Sequence, residues 1–374
     1  MLRLPDALDP ESFLARHWQK APLFMPGAQS PWKPKVTRNE LAWLATLDDV
    51  ESRIVFTERD DDRLRYRVEH GPFDADVLAS LPKRDWTLLV HDVEKHLPAL
   101  RALFDLVPFI PDWRIDDLMV SFAAPGGGVG PHRDYYDVFL CQGIGAREWH
   151  VSLDAIDDDI DASNDLALLR PFDGSRFDTR EGDVLYLPPG VAHWGTALRA
   201  CMTYSIGMRA PQLADLAASL PDDESGNAFY RDPDLALEEV SPGRISRRAV
   251  HRALALLGRD ENDFHRAALA LGCCVTLTKE WLTPEPTDDE DATTALCTLR
   301  DGGTLEVHGM ARIAWDGDRV YVNGRSCELP QASVAPIADL CRTRKLVGPF
   351  DGDESTIELL KWMLKAGALE IHGK

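Results

Sequence analysis

Apolar positions recur every three to four residues through much of the first hundred residues. "DPESFLARHWQ" opens with Asp9 as an N-cap and Pro10 at the first helical position, and "NELAWLATL" and "VEKHLPALRALFDL" carry the same spacing, so helices are predicted for all three. Between them "ESRIVFTE" and "DRLRYRVEHGPF" alternate apolar and polar residues as strands do. From about residue 113 the period shortens to two. "DLMVSFAAP", "YDVFLCQG", "REWHVSL", "GDVLYLPPG" and "CMTYSIGMRAP" are strand-sized runs set apart by glycine, proline and aspartate, a pattern that predicts a β-sandwich or barrel. Beyond Pro211 helical spacing returns in "PQLADLAASL", "ISRRAVHRALALLG" and "NDFHRAALALG". Residues 282–294, "LTPEPTDDEDATT", read as an acidic, proline-rich linker. The last eighty residues give a helix, two strands joined around "WDGDRVYVNGR" and a closing helix "TIELLKWMLKAG". Helices with a β-wing suggest a winged-helix-like module.

Composition changes this picture in two respects. A chain of 374 residues exceeds what one core usually fills, so two or three domains are expected. The formal charge of -21, from 41 Lys and Arg against 62 Asp and Glu, disfavours a direct grip on phosphate backbones and suits either a basic protein partner or simple solubility. The expectation is therefore no direct nucleic-acid binding. No basic, apolar leader opens the sequence and no run approaches a bilayer span, so no membrane association is expected and a cytoplasmic location is. Seven cysteines without a CxxC pair read as reduced thiols.

The candidate chemistry lies in "PGGGVGPHRDYYDVF", residues 125–139. His132 and Asp134, two apart on an extended segment, point the same way. "GDVLYLPPGVAHWG" supplies His193 behind a Pro-Pro-Gly turn that brings a strand end back towards the pair. Two histidines and a carboxylate on one face of a metal, with three positions left open, form the facial triad of non-haem Fe(II) oxygenases. The alternative is structural, with His132 capping a turn and Asp134 accepting backbone N–H bonds. An oxygenase of this class that uses 2-oxoglutarate needs a buried cation for the cosubstrate's far carboxylate. Arg147, fifteen residues after His132 and directly after an expected turn, is the candidate, with a surface arginine as the bland reading. The glycines of "PGGGVG" are not followed by GK[ST] or a helix, so they read as permitting positive φ and close backbone approach, with room for a substrate side chain, rather than as a phosphate cradle.

Asp117, Met119 and Ser121 alternate onto one face of the preceding strand. Asp117 either offers a negative charge to a cationic substrate or merely caps or pairs with Arg114. Tyr136 and Tyr204 belong either to the pocket or to the barrel core. The candidate substrate contacts are Asp117, Met119 and Tyr136; Ser121 and Ser205 join Arg147 as candidate cosubstrate contacts. The acidic run at residues 154–165 lacks the glycine and glutamate of an EF-hand and reads as a solvated loop.

"HWQKAPLF", "PDWRIDDLMVSFAAPGGGVGPHRDYYDVFLCQGIGAREWHV", "GDVLYLPPGVAHWG" and "FYRDPDL" together resemble the bacterial ribosomal oxygenases, JmjC-type cupins that hydroxylate an arginine of large-subunit ribosomal protein number sixteen. The resemblance spans essentially the whole chain. It implies an α+β protein: a double-stranded β-helix with a helical N-terminal part over 1–210, a helical homodimerisation region over 211–285 and a winged-helix domain over 286–374. It makes His132, Asp134 and His193 ligands of Fe(II), makes Arg147 the 2-oxoglutarate anchor, and adds O2 and a basic ribosomal protein as reactants. The rival readings are a histidyl or other protein hydroxylase of the same class, a cupin metalloenzyme without 2-oxoglutarate, and a non-catalytic binding module.

Overall fold

The computed structural model describes residues 1–4, 8–29, 36–60, 63–159, 168–217 and 228–372. The chain separates into two compact units, Met1–Pro108 with Ile115–Met208 and Pro233–Leu235, and Phe109–Arg114 with Arg209–Asp232 and Ala236–Lys374.

The first unit is built on one antiparallel sheet. Its strands are β1 (Leu23–Met25), β2 (Ser52–Asp60), β3 (Arg63–His70), β4 (Trp86–Val90), β5 (Ile115–Ala123), β6 (His132–Arg133), β7 (Val138–Ser152), β8 (Ser175–Arg180), β9 (Val184–Leu187) and β10 (Ala192–Met208). They run in the order β1-β9-β7-β10-β5-β4-β2-β3, with β6 added to β10 and β8 to β7. Register defines one face. Thr203, Ser205 and Gly207 of β10 lie opposite Ser121, Met119 and Asp117 of β5 and opposite Gln142, Leu140 and Val138 of β7. Val138, Leu140, Trp149, Val151, Leu185 and Leu187 share one apolar cluster, which marks this face as the inside of the rolled sheet.

Two expected strands prove to be one. "YDVFLCQG" and "REWHVSL" were separated by an expected turn at Gly143–Gly145, but β7 passes through it as a bulge, with Gly145 at φ 74 and repeated register shifts against β10. The bulge exchanges faces, so even positions point inward before it (Val138, Leu140) and odd positions after it (Trp149, Val151). Gln142 holds it in place. Its Nε2 donates to the carbonyls of Ile144 and Met202 at 2.8 and 3.1 Å, and its Oε1 accepts from Thr179 and Thr203 at 3.1 and 3.3 Å. Likewise "CMTYSIGMRAP" is only the second half of β10.

Around the sheet, Pro10–Arg16 is helical as expected, and the Asp9 carboxylate accepts the Ser12 N–H at 2.7 Å. "VEKHLPALRALFDL" departs from a single helix. It makes one α turn at Val93–His96 and a 3-10 stretch at Pro98–Leu106, because proline supplies no N–H to continue the α ladder.

In the second unit, helices Arg247–Leu256 and Phe264–Thr276 pack through Ala253, Leu254, Ala267 and Leu271. Strands β11 (Thr304–Val307), β12 (Ile313–Trp315), β13 (Arg319–Val322), β14 (Arg325–Glu328), β15 (Lys345–Val347) and β16 (Leu369–His372) make two three-stranded sheets, β15-β11-β16 and β12-β13-β14. Helices Asp289–Arg300, Val334–Thr343 and Glu354–Lys365 share a core with these strands. The expected linker at 282–294 is partly helix: Asp288 caps the Asp291 N–H at 2.8 Å, and Asp289, Glu290 and Asp291 fill the first turn, where carboxylates complement the helix dipole. In the same unit Arg114, fully buried, pairs with Asp232 at 3.3 Å and stacks over Tyr230. That placement corrects one expectation, since Arg114 is engaged with "FYRDPDL" and not with Asp117.

Candidate active site

The triad is assembled by strand pairing. His132 lies directly opposite His193 where β6 joins β10, with ring centroids 4.2 Å apart. Asp134 follows one residue beyond β6, and its Oδ2 stands 3.7 Å from His193 Nε2. The Asp134 carbonyl accepts the Gly190 N–H at 2.7 Å, which ties the Pro-Pro-Gly turn to the triad. One donor atom from each of His132, Asp134 and His193 lies within 4.8 Å of the other two, and among the described residues no other such group of His, Cys, Asp or Glu forms.

Backbone carbonyls orient both imidazoles. His132 Nδ1 meets the Gly130 carbonyl at 2.9 Å and His193 Nδ1 meets that of Val191 at 3.0 Å. A carbonyl only accepts, so each Nδ1 carries a proton and each Nε2 is the nitrogen available to a ligand. Burial, with the neighbouring His132 second, pushes His193 down to about 4, against the pull of Asp134; the ring is neutral at neutral pH. This donor set, two imidazole nitrogens and a carboxylate, fits a divalent transition metal.

Arg147 is 4% exposed, and its Nε and Nη2 are buried without a hydrogen-bond partner among the described residues. Register places Arg147, Trp149 and Val151 of β7 opposite Ala197, Gly195 and His193 of β10, so the guanidinium-bearing residue and His193 share the inner face. The guanidinium carbon lies 5.4 Å from the centre of the Trp149 ring, which covers the cation but offers its nitrogens no acceptor, and those unused nitrogens fit a bound carboxylate. Gly195 makes the space: a β-carbon there would stand 2.7 Å from the Trp149 ring and 2.9 Å from Arg147 Cδ.

The "PGGGVG" segment serves the protein's own packing. A β-carbon at Gly127 or Gly128 would meet the carbonyls of Trp86 or Gly195 at 2.1 and 2.6 Å. The expected room for a substrate side chain is therefore taken by backbone.

Asp117, Met119 and Ser121 do share the inner face, and Ser205 lies opposite Met119. Ser121 and Ser205 are buried, and Met119 packs beside Val55, Tyr66 and Leu89. Tyr204 is core, its hydroxyl accepting the Val36 N–H at 2.9 Å. Tyr136 is not core: it is 41% exposed, while its phenol is held well above the usual range by Asp134 first, then burial and the charges of Asp117 and Asp116.

Sequence reasoning missed the neighbours of Asp117. Its Oδ2 lies 3.0 Å from His91 Nδ1 and accepts the Asp92 N–H at 3.4 Å. Glu94, 4% exposed, accepts the Leu118 N–H at 3.0 Å; burial first, then the charge of Asp117, raises it to about 7 despite Lys95. "HDVEK" carries no spacing signal for this cluster, which forms only when β4 and β5 pair.

A rolled antiparallel sheet with a His-Asp-His triad on its inner face defines a JmjC-type oxygenase, and the JmjC domain family matches residues 102–216. The ROXA-like winged helix family matches residues 258–370, and the AraC-like ligand binding domain family matches 171–270. The chain is 33% identical to the Ribosomal protein uL16 3-hydroxylase of Escherichia coli over 95% of both chains. It is 37% identical to a Probable ribosomal oxygenase of Haemophilus influenzae over 65% of this chain and 59% of that one. The structure of the Escherichia coli ribosomal oxygenase YcfD in complex with cobalt and 2-oxoglutarate is similar at a TM-score of 0.75 and 30% identity, covering 100% of both chains. The chain belongs to the JmjC-type ribosomal oxygenases, with a double-stranded β-helix and a ROXA-like winged helix.

Proposed function

We propose that this protein is an Fe(II)- and 2-oxoglutarate-dependent oxygenase that hydroxylates an arginine side chain of a basic ribosomal protein, with uL16 as the substrate. The observation that carries the reading is the pairing, on one inner face, of the His132, Asp134 and His193 donor set with a buried Arg147 whose nitrogens lack partners. When bound, iron and 2-oxoglutarate supply the oxidation, one atom of O2 entering succinate and the other the substrate hydroxyl, with release of CO2.

The chain's own residues do the rest. His132 and His193 present their Nε2 atoms, and Asp134 adds the charge that favours a divalent ion over a neutral ligand. Arg147 receives the far carboxylate of 2-oxoglutarate through its free nitrogens, with Ser121 and Ser205 lining the same face. Trp149, Val151 and Leu140 keep the site dry, which strengthens each of these charge interactions. Asp117, with Met119 and Tyr136 beside it, receives the substrate's guanidinium. The surplus of carboxylates there favours arginine over the neutral imidazole of a histidine target.

The acidic body, at -21, attracts a basic substrate. We assign the helices of 211–285 to homodimerisation, 286–374 to the winged-helix part, and the enzyme to the cytoplasm, where ribosomal proteins are made. The test is mass spectrometry of uL16 incubated with enzyme, Fe(II), 2-oxoglutarate and O2. One added oxygen on an arginine supports the proposal. Oxygen on a histidine shifts it to the histidyl class, and turnover that ignores 2-oxoglutarate overturns it.

A further inference from the structure

The two oxygens of Asp117 are unequal. Oδ2 is bound by His91 Nδ1 and the Asp92 N–H, whereas Oδ1 takes no hydrogen bond from the described residues and faces Gly207 of β10, where an added β-carbon would be 3.1 Å away. One oxygen is anchored and the other is open over a glycine on the inner face.

The anchor is itself built. The His91 N–H donates to the Glu51 carbonyl at 2.9 Å, so the end of β4 is fixed to the chain ahead of β2. Asp92 then adopts φ 54 and ψ 30, a left-handed conformation that non-glycine residues seldom take. That conformation points its N–H at Asp117, and its carboxylate holds Lys95. Two residues on, Glu94 takes the Leu118 N–H. Residues 91–94 thus grip β5 at two successive residues, Asp117 by its side chain and Leu118 by its backbone.

Resting on the reading that Asp117 receives the substrate cation, we propose that His91 is a positioning residue: it fixes the Asp117 carboxylate plane so that Oδ1 meets the guanidinium. Without the His91 side-chain Nδ1–H only the longer Asp92 N–H contact at 3.4 Å is left, and the carboxylate turns about its terminal torsion, which is broad and weakly barred. The bound state must then pay for ordering it, so affinity for the protein substrate falls while the chemical step is little changed.

The test measures kcat and KM for purified uL16 with the full-length enzyme, Fe(II) and 2-oxoglutarate. His91→Ala is expected to raise KM about tenfold, the weight of one hydrogen bond to a charged group, with kcat within about twofold. His91→Asn places an amide N–H where Nδ1 stood and restores KM to within about threefold, while His91→Gln, whose amide reaches further, behaves as alanine does. In an Asp117→Ala background His91→Ala adds nothing, because the group it positions is gone. Equal losses from His91→Ala in both backgrounds, or no recovery with asparagine, overturn the positioning role while leaving Asp117 as a substrate contact. An unchanged KM in Asp117→Ala alone removes that contact and the inference with it. If His91→Ala does not fold, the asparagine and glutamine pair gives the same decision.

Discussion

The inner face of the barrel carries opposite electrical deficits in two places. On β7 a guanidinium is buried with nitrogens to spare, and no anion of the described protein meets them. Between β4 and β5, Asp92, Glu94 and Asp117 gather around Lys95 and His91, and Asp117 keeps an oxygen open. Neither arrangement suits a core that only has to be stable, since unpaired buried charge is among the costliest things a fold can hold. The two deficits differ in construction as well. Arg147 is set by strand register alone, whereas Asp117 depends on His91, 26 positions away, and on the left-handed residue that follows it. One place is fixed by pairing within the sheet; the other is put together by the chain that follows β4.

The sharpest way to break that contrast is to remove the triad that both would serve under the proposed function. Asp134→Ala is expected to abolish substrate-dependent succinate release, and retained activity would refute the triad. Arg147→Ala comes next: losing one partner of a buried charge pair costs about 3–5 kcal/mol, so the KM for 2-oxoglutarate should rise at least about a hundredfold, with little change in that for uL16. An unchanged value favours a cupin that needs no 2-oxoglutarate.

The acidic place is probed by stability. Glu94 is raised from 4.5 to about 7, so the folded state holds its proton more tightly than the unfolded one. Its stabilising contribution is complete below about 4.5 and is lost as pH climbs through about 7. Glu94→Gln should therefore be more stable than wild type at pH 8, by on the order of 2–3 kcal/mol, with the two converging near pH 5 in urea titrations. Convergence at pH 8 and divergence at pH 5 would mean the carboxylate is stabilised, not strained.

The smallest changes separate the two places by one methyl each. Gly195→Ala crowds Trp149 and Arg147 and should raise the 2-oxoglutarate KM about tenfold through overpacking. Gly207→Ala touches Asp117 Oδ1 at 3.1 Å and should raise the uL16 KM only a few fold. If both variants affect the same KM, the inner face is one undivided pocket.

The parts of this site that were legible in the sequence are those written locally. His132 and Asp134 stand in one segment, and the turn before His193 is spelled by Pro188, Pro189 and Gly190. Arg147 was reached through the chemistry a cosubstrate requires, although the turn expected before it is a bulge inside β7, since glycines that permit a turn equally permit a left-handed residue within a ladder. His91 and Glu94 were illegible because their role exists only across the β4 and β5 pairing. The linker read at 282–294 missed the helix that begins at Asp289 for a related reason: acidic residues signal solvent in a loop and dipole complementarity at a helix start, and composition does not separate the two. Part of the acidic run at 154–165 lies outside the described residues.

Both triad imidazoles are steered by main-chain oxygens two positions upstream, Gly130 and Val191, rather than by other side chains. Their aim is consequently set by the main chain and insensitive to mutation of the surrounding surface. A donor set aimed in this way would select among divalent ions by charge and size, so an iron-loaded enzyme would owe its metal to cellular supply more than to recognition by the cage.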